Sequence, residues 1–175
     1  MGTSEAAGYV DALGNITGWL NELAFVPVDY NKESCIDEWS LDYGCGVKYF
    51  SQDSVIKLAL EAGIELEESL SPAEKLKVVQ HLHLKNDKRA IEIFRTIGVY
   101  LGYTIAYYAT FYDIKHLLVL GRVTSGNGGN LIVDEANKVL RDEFNELFQT
   151  MSVSLPDEKA RRVGQSIAAA SLPTI

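Results

Sequence analysis

The sequence predicts an α/β fold in which a mixed sheet, opened by an early β-hairpin, is packed by helices. Three observations carry this: β signals lie between Gly8 and Leu20, helical periodicity dominates from Ser51 onward, and two short apolar runs, His116–Gly121 and Ser152–Pro156, interrupt the helices. With 175 residues, 47% of them hydrophobic, the chain is long enough for a single globular domain over residues 1–175.

The elements follow in order. GYVDA, Gly8–Ala12, and NITGWL, Asn15–Leu20, flank a Leu-Gly turn and pair as a hairpin. Phe25 to Asp42, with Pro27, Asn31 and several charges, is a long loop, and long loops in compact domains tend to be functional. Val55, Leu58, Ala59 and Ala62 have helical spacing over Ser51–Ala62, and Gly63 supplies the C-terminal cap. SPAEKLKVVQHLHL opens with Ser71 as N-cap, Pro72 at the first helical position and Glu74 as capping-box partner.

Asp87 starts the longest helix, with Ile91, Phe94, Ile97, Leu101, Ile105 and Tyr108 on one apolar face. Gly98, Gly102 and Ala106 recur every fourth residue beside it, a line that lets another backbone approach. HLLVLG, without alternation, reads as a strand buried on both faces. Gly129–Phe144 is amphipathic through Leu131, Ala136, Val139, Leu140 and Phe144. SVSLP is a short last strand and DEKARRVGQSIAAASL a closing helix.

A formal net charge of -8 argues against nucleic acid as partner, because phosphate affinity comes mostly from Lys and Arg. Cys35 and Cys45 are too few for a disulfide framework or a structural zinc site, so a reducing cytoplasm is expected. MGTSEAAGYV lacks the pattern of a secretory signal. The stretch TIGVYLGYTIAYYATFY has seventeen uncharged residues but five tyrosines, and it reads as a buried helix, with no membrane partner.

The remaining polar residues each have an ordinary reading. His81 and His83, two apart on a helix, face different directions and share no metal. His116 packs at the mouth of its strand, and Asp37, Glu38 and Asp42 are solvated charges of the loop. Gly126, Gly128 and Gly129 near a helix start either expose N–H groups to phosphate or form a plain connection. Neither a Walker pattern nor GxGxxG is present, so spacing alone favours the connection.

Several blocks, in order, resemble the second lobe of the ROK family (repressors, open reading frames and sugar kinases) of the actin-like ATPase superfamily, which has a ribonuclease-H-like architecture. GTSEAAGYVDALG is similar to the family's phosphate-contacting GTGxGxG hairpin, with Gly2 and Thr3 in its first positions. WLNELAF falls where the family has Gly-Glu-Ile-Gly-His and keeps Glu22. YGCGVKYFS matches the end of the CxCGxxGCLExxxS block at Gly44, Cys45 and Ser51. HLLVLGRVTSGNGG resembles the adenosine-binding strand and turn, and GQSIAAASL the terminal Gly-x-x-Ala-Ala helix.

The resemblance implies ATP with Mg²⁺ as cofactor, held at Gly2, Thr3, Gly121 and Arg122, and a sugar substrate met by Glu22. Arg122 replaces a glycine of the family: it stacks on adenine, pairs with phosphate, or closes the pocket. Glu22 either contacts ligand or holds its loop through backbone N–H groups. The family's catalytic base and other phosphate turn lie in a first lobe that this sequence does not contain, so no catalytic residue is assigned and the chain alone is expected to be inactive.

Departures cut against an ordinary hexose site. Phe25 stands at the family's histidine and Val47 at its glutamate, and Glu38-Trp39-Ser40-Leu41 replaces CxCG, so zinc is not expected at Cys45. Two alternatives to the kinase lobe follow: a sugar-sensing regulator domain, or a non-catalytic interaction domain. A face left open by the first lobe implies a homo-oligomer, such as a dimer.

Overall fold

In the computed structural model, residues 1–19 and 21–157 are described; the closing helix expected from DEKARRVGQSIAAASL falls beyond Asp157, outside them. The fold is α/β, mostly helical, with one small parallel sheet. Helix α1 spans Gln52–Glu61, α2 Pro72–Leu84, α3 Lys88–Tyr108, α4 Asn127–Glu143 and α5 Asn145–Thr150; strands β1 and β2 are His116–Leu118 and Ser152–Ser154.

Local chemistry sets the helix ends. The Ser51 hydroxyl accepts from the Asp53 N–H to start α1. At its end Gly63, at φ 68, donates to the Leu60 carbonyl while Ile64 donates to Ala59, the paired bonds of a left-handed C-terminal stop. Ser71 and Glu74 form the expected reciprocal capping box at α2, with Pro72 in the first turn. Ser71→Ala should lower stability by about 1 kcal/mol, read as a fall of roughly 2–4 °C in Tm; an unchanged Tm would mean that water satisfies these amides equally well.

The core lies where α3 packs on α4, with α1 and α2 closing it. Helix α3 starts at Asp87, whose carboxylate accepts from Arg89 N–H, and buries Phe94, Ile97, Leu101, Ile105 and Tyr108; Ile91, on the expected face, is only half-buried. The Gly98 and Gly102 line is where α4 approaches. A Cβ at Gly98 would stand 2.6 Å from the Ile132 carbonyl oxygen, and one at Gly102 2.6 Å from Val139 Cβ. No described helix is long and apolar enough to cross a membrane.

The sheet departs from expectation. β1 pairs with β2 in parallel, His116 opposite Ser152 and Leu118 opposite Ser154, and these are its only strands among the described residues. The His116–Gly121 run is therefore not buried on both faces: Val119 faces the core, but Leu118 and Leu120 are about half exposed. The reason is that no described element covers the second face. His116 does not pack at a strand mouth either; it is exposed, its Nδ1 2.9 Å from Ser152 Oγ.

The early hairpin is reduced to one antiparallel bridge, Val10 with Ile16, closed by Gly14 at φ 85 and by the Asp11 carboxylate accepting from Leu13 and Asn15 N–H. Both bridge residues are exposed, so the ladder has no apolar face to extend along.

Candidate functional site

The segment Met1–Glu5 links three regions that are far apart in sequence. The Met1 amine donates to the Leu120 carbonyl at 2.7 Å, and the Met1 carbonyl accepts from Val123 N–H at 3.3 Å. The Gly2 carbonyl accepts from Gln52 N–H at 2.8 Å, at the start of α1. Two of the expected nucleotide positions, Gly2 and Gly121, thus lie side by side across 119 residues of chain. Gly121 has φ 116, and a Cβ there would collide with the Met1 carbonyl, so only glycine allows this approach.

Arg122 follows in a 3-10 turn, Arg122–Thr124, tied to α2 where Gln80 Nε2 donates to its carbonyl at 2.8 Å. Its side chain is exposed, without an ion-pair partner among the described residues. Thr3 is exposed as well. The turn's glycines have different tasks. Gly128 and Gly129 are buried in the first turn of α4: a Cβ at Gly128 would press on the Phe94 ring at 2.9 Å, and one at Gly129 on the Thr124 carbonyl. Gly126, at φ 69, borders open space and caps α4 without a side-chain acceptor. No described side chain therefore caps the amides of Asn127 and Gly128 at the start of this 17-residue helix, a geometry that suits phosphate oxygens.

Glu22 is exposed at the entry of the 3-10 turn Leu23–Phe25 and makes no side-chain cap. Among the described residues no backbone N–H donates to its carboxylate. Phe25 stacks on Trp39 with centroids 5.3 Å apart, so aromatic faces occupy the region where the family resemblance placed histidine. Cys45 is fully buried, and Gly44, at φ 67, sits against the Asp29 carbonyl. Among the described residues no three His, Cys, Asp or Glu converge as metal ligands.

The loop charges are not uniformly solvated. Asp37 is 6% exposed and accepts from Ser40 N–H at 2.8 Å, a bond that holds its carboxyl below the usual range. Glu38, exposed, pairs with Lys48, which also reaches Asp53 at 3.4 Å. His81 is exposed, whereas His83 meets the Phe94 ring edge-on at 5.1 Å, and burial lowers its pKa.

Glu5 was missed from sequence, and nothing in GTSEAAG distinguishes it. Its Oε2 is buried without a hydrogen-bond partner among the described residues, against Gly46, while Tyr108 OH donates weakly to Oε1 at 3.4 Å. Burial raises its pKa to about 7, partly offset by the Met1 amine and then by Tyr108. The folded state therefore binds a proton that the unfolded state releases near the ordinary carboxylate value. Its neutral form is no burden below about pH 4.5, and destabilisation grows as pH rises through about 7. Glu5→Gln should stabilise the fold at pH 8 by on the order of 2 kcal/mol, since part of the side chain stays wet, and leave it unchanged at pH 4. Equal Tm shifts at both pH values would refute a buried charge as the cause.

No protein-family model matches the chain, and no curated protein matches it. Among solved structures it is similar to a ROK family glucokinase from Streptomyces griseus in complex with glucose and AMPPNP, with a TM-score of 0.64 and 17% identity. The match covers 89% of this chain and 53% of the glucokinase, so the chain spans about half of that protein's length. The likeness is one of fold: an α/β unit that superposes on a part of a sugar kinase.

Proposed function

We propose that this chain is the nucleotide-facing lobe of a sugar-kinase-like protein, of actin-like ATPase architecture, which completes its active site with a first lobe. The observation that carries the reading is the seating of Met1–Gly2 on the Gly121 turn, beside the uncapped start of α4. Gly2 and Thr3 would face the phosphates with the Asn127 and Gly128 amides, and Arg122 would lie beside the base or the phosphates. Open space at Gly2 and Gly126 fits this, since no described residue fills either position.

ATP would supply the transferred phosphoryl group, and Mg²⁺, held largely by phosphate oxygens and water, its charge neutralisation. The chain's own part is to position: a rigid glycine turn, a helix start aimed at anions, and Glu22 exposed toward a hydroxylated substrate. The Phe25–Trp39 pair offers a flat apolar surface for a sugar ring in place of the polar contacts that Val47 removes. Calorimetric titration with Mg-ATP, then with a hexose panel, tests this. Nucleotide binding strengthened by a hexose supports the kinase-like reading, and hexose binding without nucleotide would replace it by the sensor reading.

One observation favours an interaction domain instead: Leu13, Ile16, Trp39 and Leu41 are all more than two-thirds exposed, and Leu118 and Leu120 leave one sheet face open. Concentration-dependent sedimentation with no binding of ATP or sugar would support that second reading.

A further inference from the structure

A cavity of about 210 Å³ opens between the loop that follows Val28, helix α1 and helix α3, away from the Gly121 turn. On its wall Lys57 Nζ stands 3.1 Å from Cys35 Sγ and 4.5 Å from the centroid of the Tyr49 ring, which holds the ammonium in place. Tyr49 OH in turn donates to Asp29 Oδ2 at 2.6 Å. The adjoining Ser34 is 8% exposed, and its hydroxyl has no hydrogen-bond partner although it lines the same cavity. A buried, unsatisfied hydroxyl is costly, and it is satisfied when a small polar molecule enters.

We propose that this cavity is a site of hydroperoxide chemistry, in which Cys35 and Lys57 become joined by a covalent S–N bond. Cys35 is the half-buried thiol of the chain, and Cys45, fully buried, lies out of reach of solutes. Ser34 Oγ hydrogen-bonds the incoming hydroperoxide beside the sulfur. The sulfur gives up its proton and attacks the nearer peroxide oxygen as thiolate, the O–O bond breaks, Cys35 becomes a sulfenic acid, and the leaving oxygen takes up a proton to depart as water or alcohol. Lys57 then loses a proton to solvent, and its nitrogen lone pair displaces hydroxide from sulfur. The hydroxide leaves as water with a second proton of the amine. Sulfur is oxidised by two electrons, the peroxide is reduced by two, and the chain ends two hydrogens lighter.

The pairing is decided by proximity, since a sulfenic acid is consumed by the nearest nucleophile, and Lys57 already touches the sulfur. The bond fastens the loop to α1 across 22 residues. Thiols reverse it by attack on sulfur, which returns the amine and, with a second thiol, the free Cys35.

The test is mass spectrometry of the chain after hydrogen peroxide, alkylation, and digestion with a protease that does not cut at lysine. The expected product is two hydrogens lighter, yields one linked pair of peptides holding Cys35 and Lys57, and reverts with dithiothreitol. Cys35→Ser should give no link, and Lys57→Arg or Lys57→Gln should instead leave Cys35 with one or more added oxygens. Matching circular dichroism spectra establish that the variants fold. A Cys35–Cys45 disulfide would also remove two hydrogens, but it would persist in Lys57→Arg, and finding it there overturns the proposal. So does a wild-type Cys35 that stays reduced, or that gains oxygen with Lys57 unlinked.

Discussion

Phe94→Ala is expected to destabilise the protein by about 3–5 kcal/mol, lowering Tm by on the order of 10 °C. Phe94 is 0% exposed at the centre of the core, and its ring sits under Gly128 and edge-on to His83. Neither contact can close the space left by truncation, because Gly128 belongs to the backbone of α4 and His83 to α2. Urea unfolding measures the loss directly. A change below about 1 kcal/mol would mean that α4 does not rest on this ring. A second readout is independent of stability: water admitted beside His83 should bring its depressed pKa back up, visible in an imidazole proton titration.

Gly121→Val should eliminate nucleotide binding while the helices persist. The substitution carries two faults at once, a β-branched side chain at φ 116 and a collision with the Met1 carbonyl. Met1 and Gly2 must leave the turn, which separates the two segments proposed to face the phosphates. Titration of Mg-ATP into wild type and variant, with circular dichroism as the control for folding, checks this. Unchanged affinity in a folded variant would sink the assignment of the turn.

The helices were legible because their signals are local. Ser71, Pro72 and Glu74 specify a start within four residues, and Gly98 and Gly102 mark a close approach wherever the partner comes from. The periodicity of Phe94, Ile97, Leu101 and Ile105 likewise needed no knowledge of α4. The strand His116–Leu118 was placed correctly but its surroundings were not, because burial of a strand depends on neighbours that its own residues do not name. The glycines after Ser125 show the same limit: only the packed structure separates Gly128, pressed on Phe94, from Gly126, which faces open space.

The site divides in a similar way. Family likeness pointed to Gly2 and Gly121, and the fold brings them together; Thr3, Arg122 and Glu22 lie exposed, with roles that the titrations above examine. Glu5, Asp37 and the Cys35–Lys57 contact had no sequence signal. Glu5 and the Cys35–Lys57 contact arise where segments distant in the chain meet, whereas Asp37 is held by Ser40 within its own turn, a bond that the charges of the loop did not announce.

The parallel pairing of β1 with β2 also constrains the order of events during folding. His116 meets Ser152 only after the intervening 35 residues have formed α4 and α5 and turned back, so the sheet cannot act as an early nucleus. Helices α3 and α4 run parallel, with Phe94 beside Gly128 and Tyr103 beside Glu143, so their contact spans as much chain as the sheet does, whereas the turns within each helix form locally and lead. Refolding should therefore gain helical signal before the strands lock, and a chain emerging from a ribosome stays unsealed at this edge until Ser154 has been made.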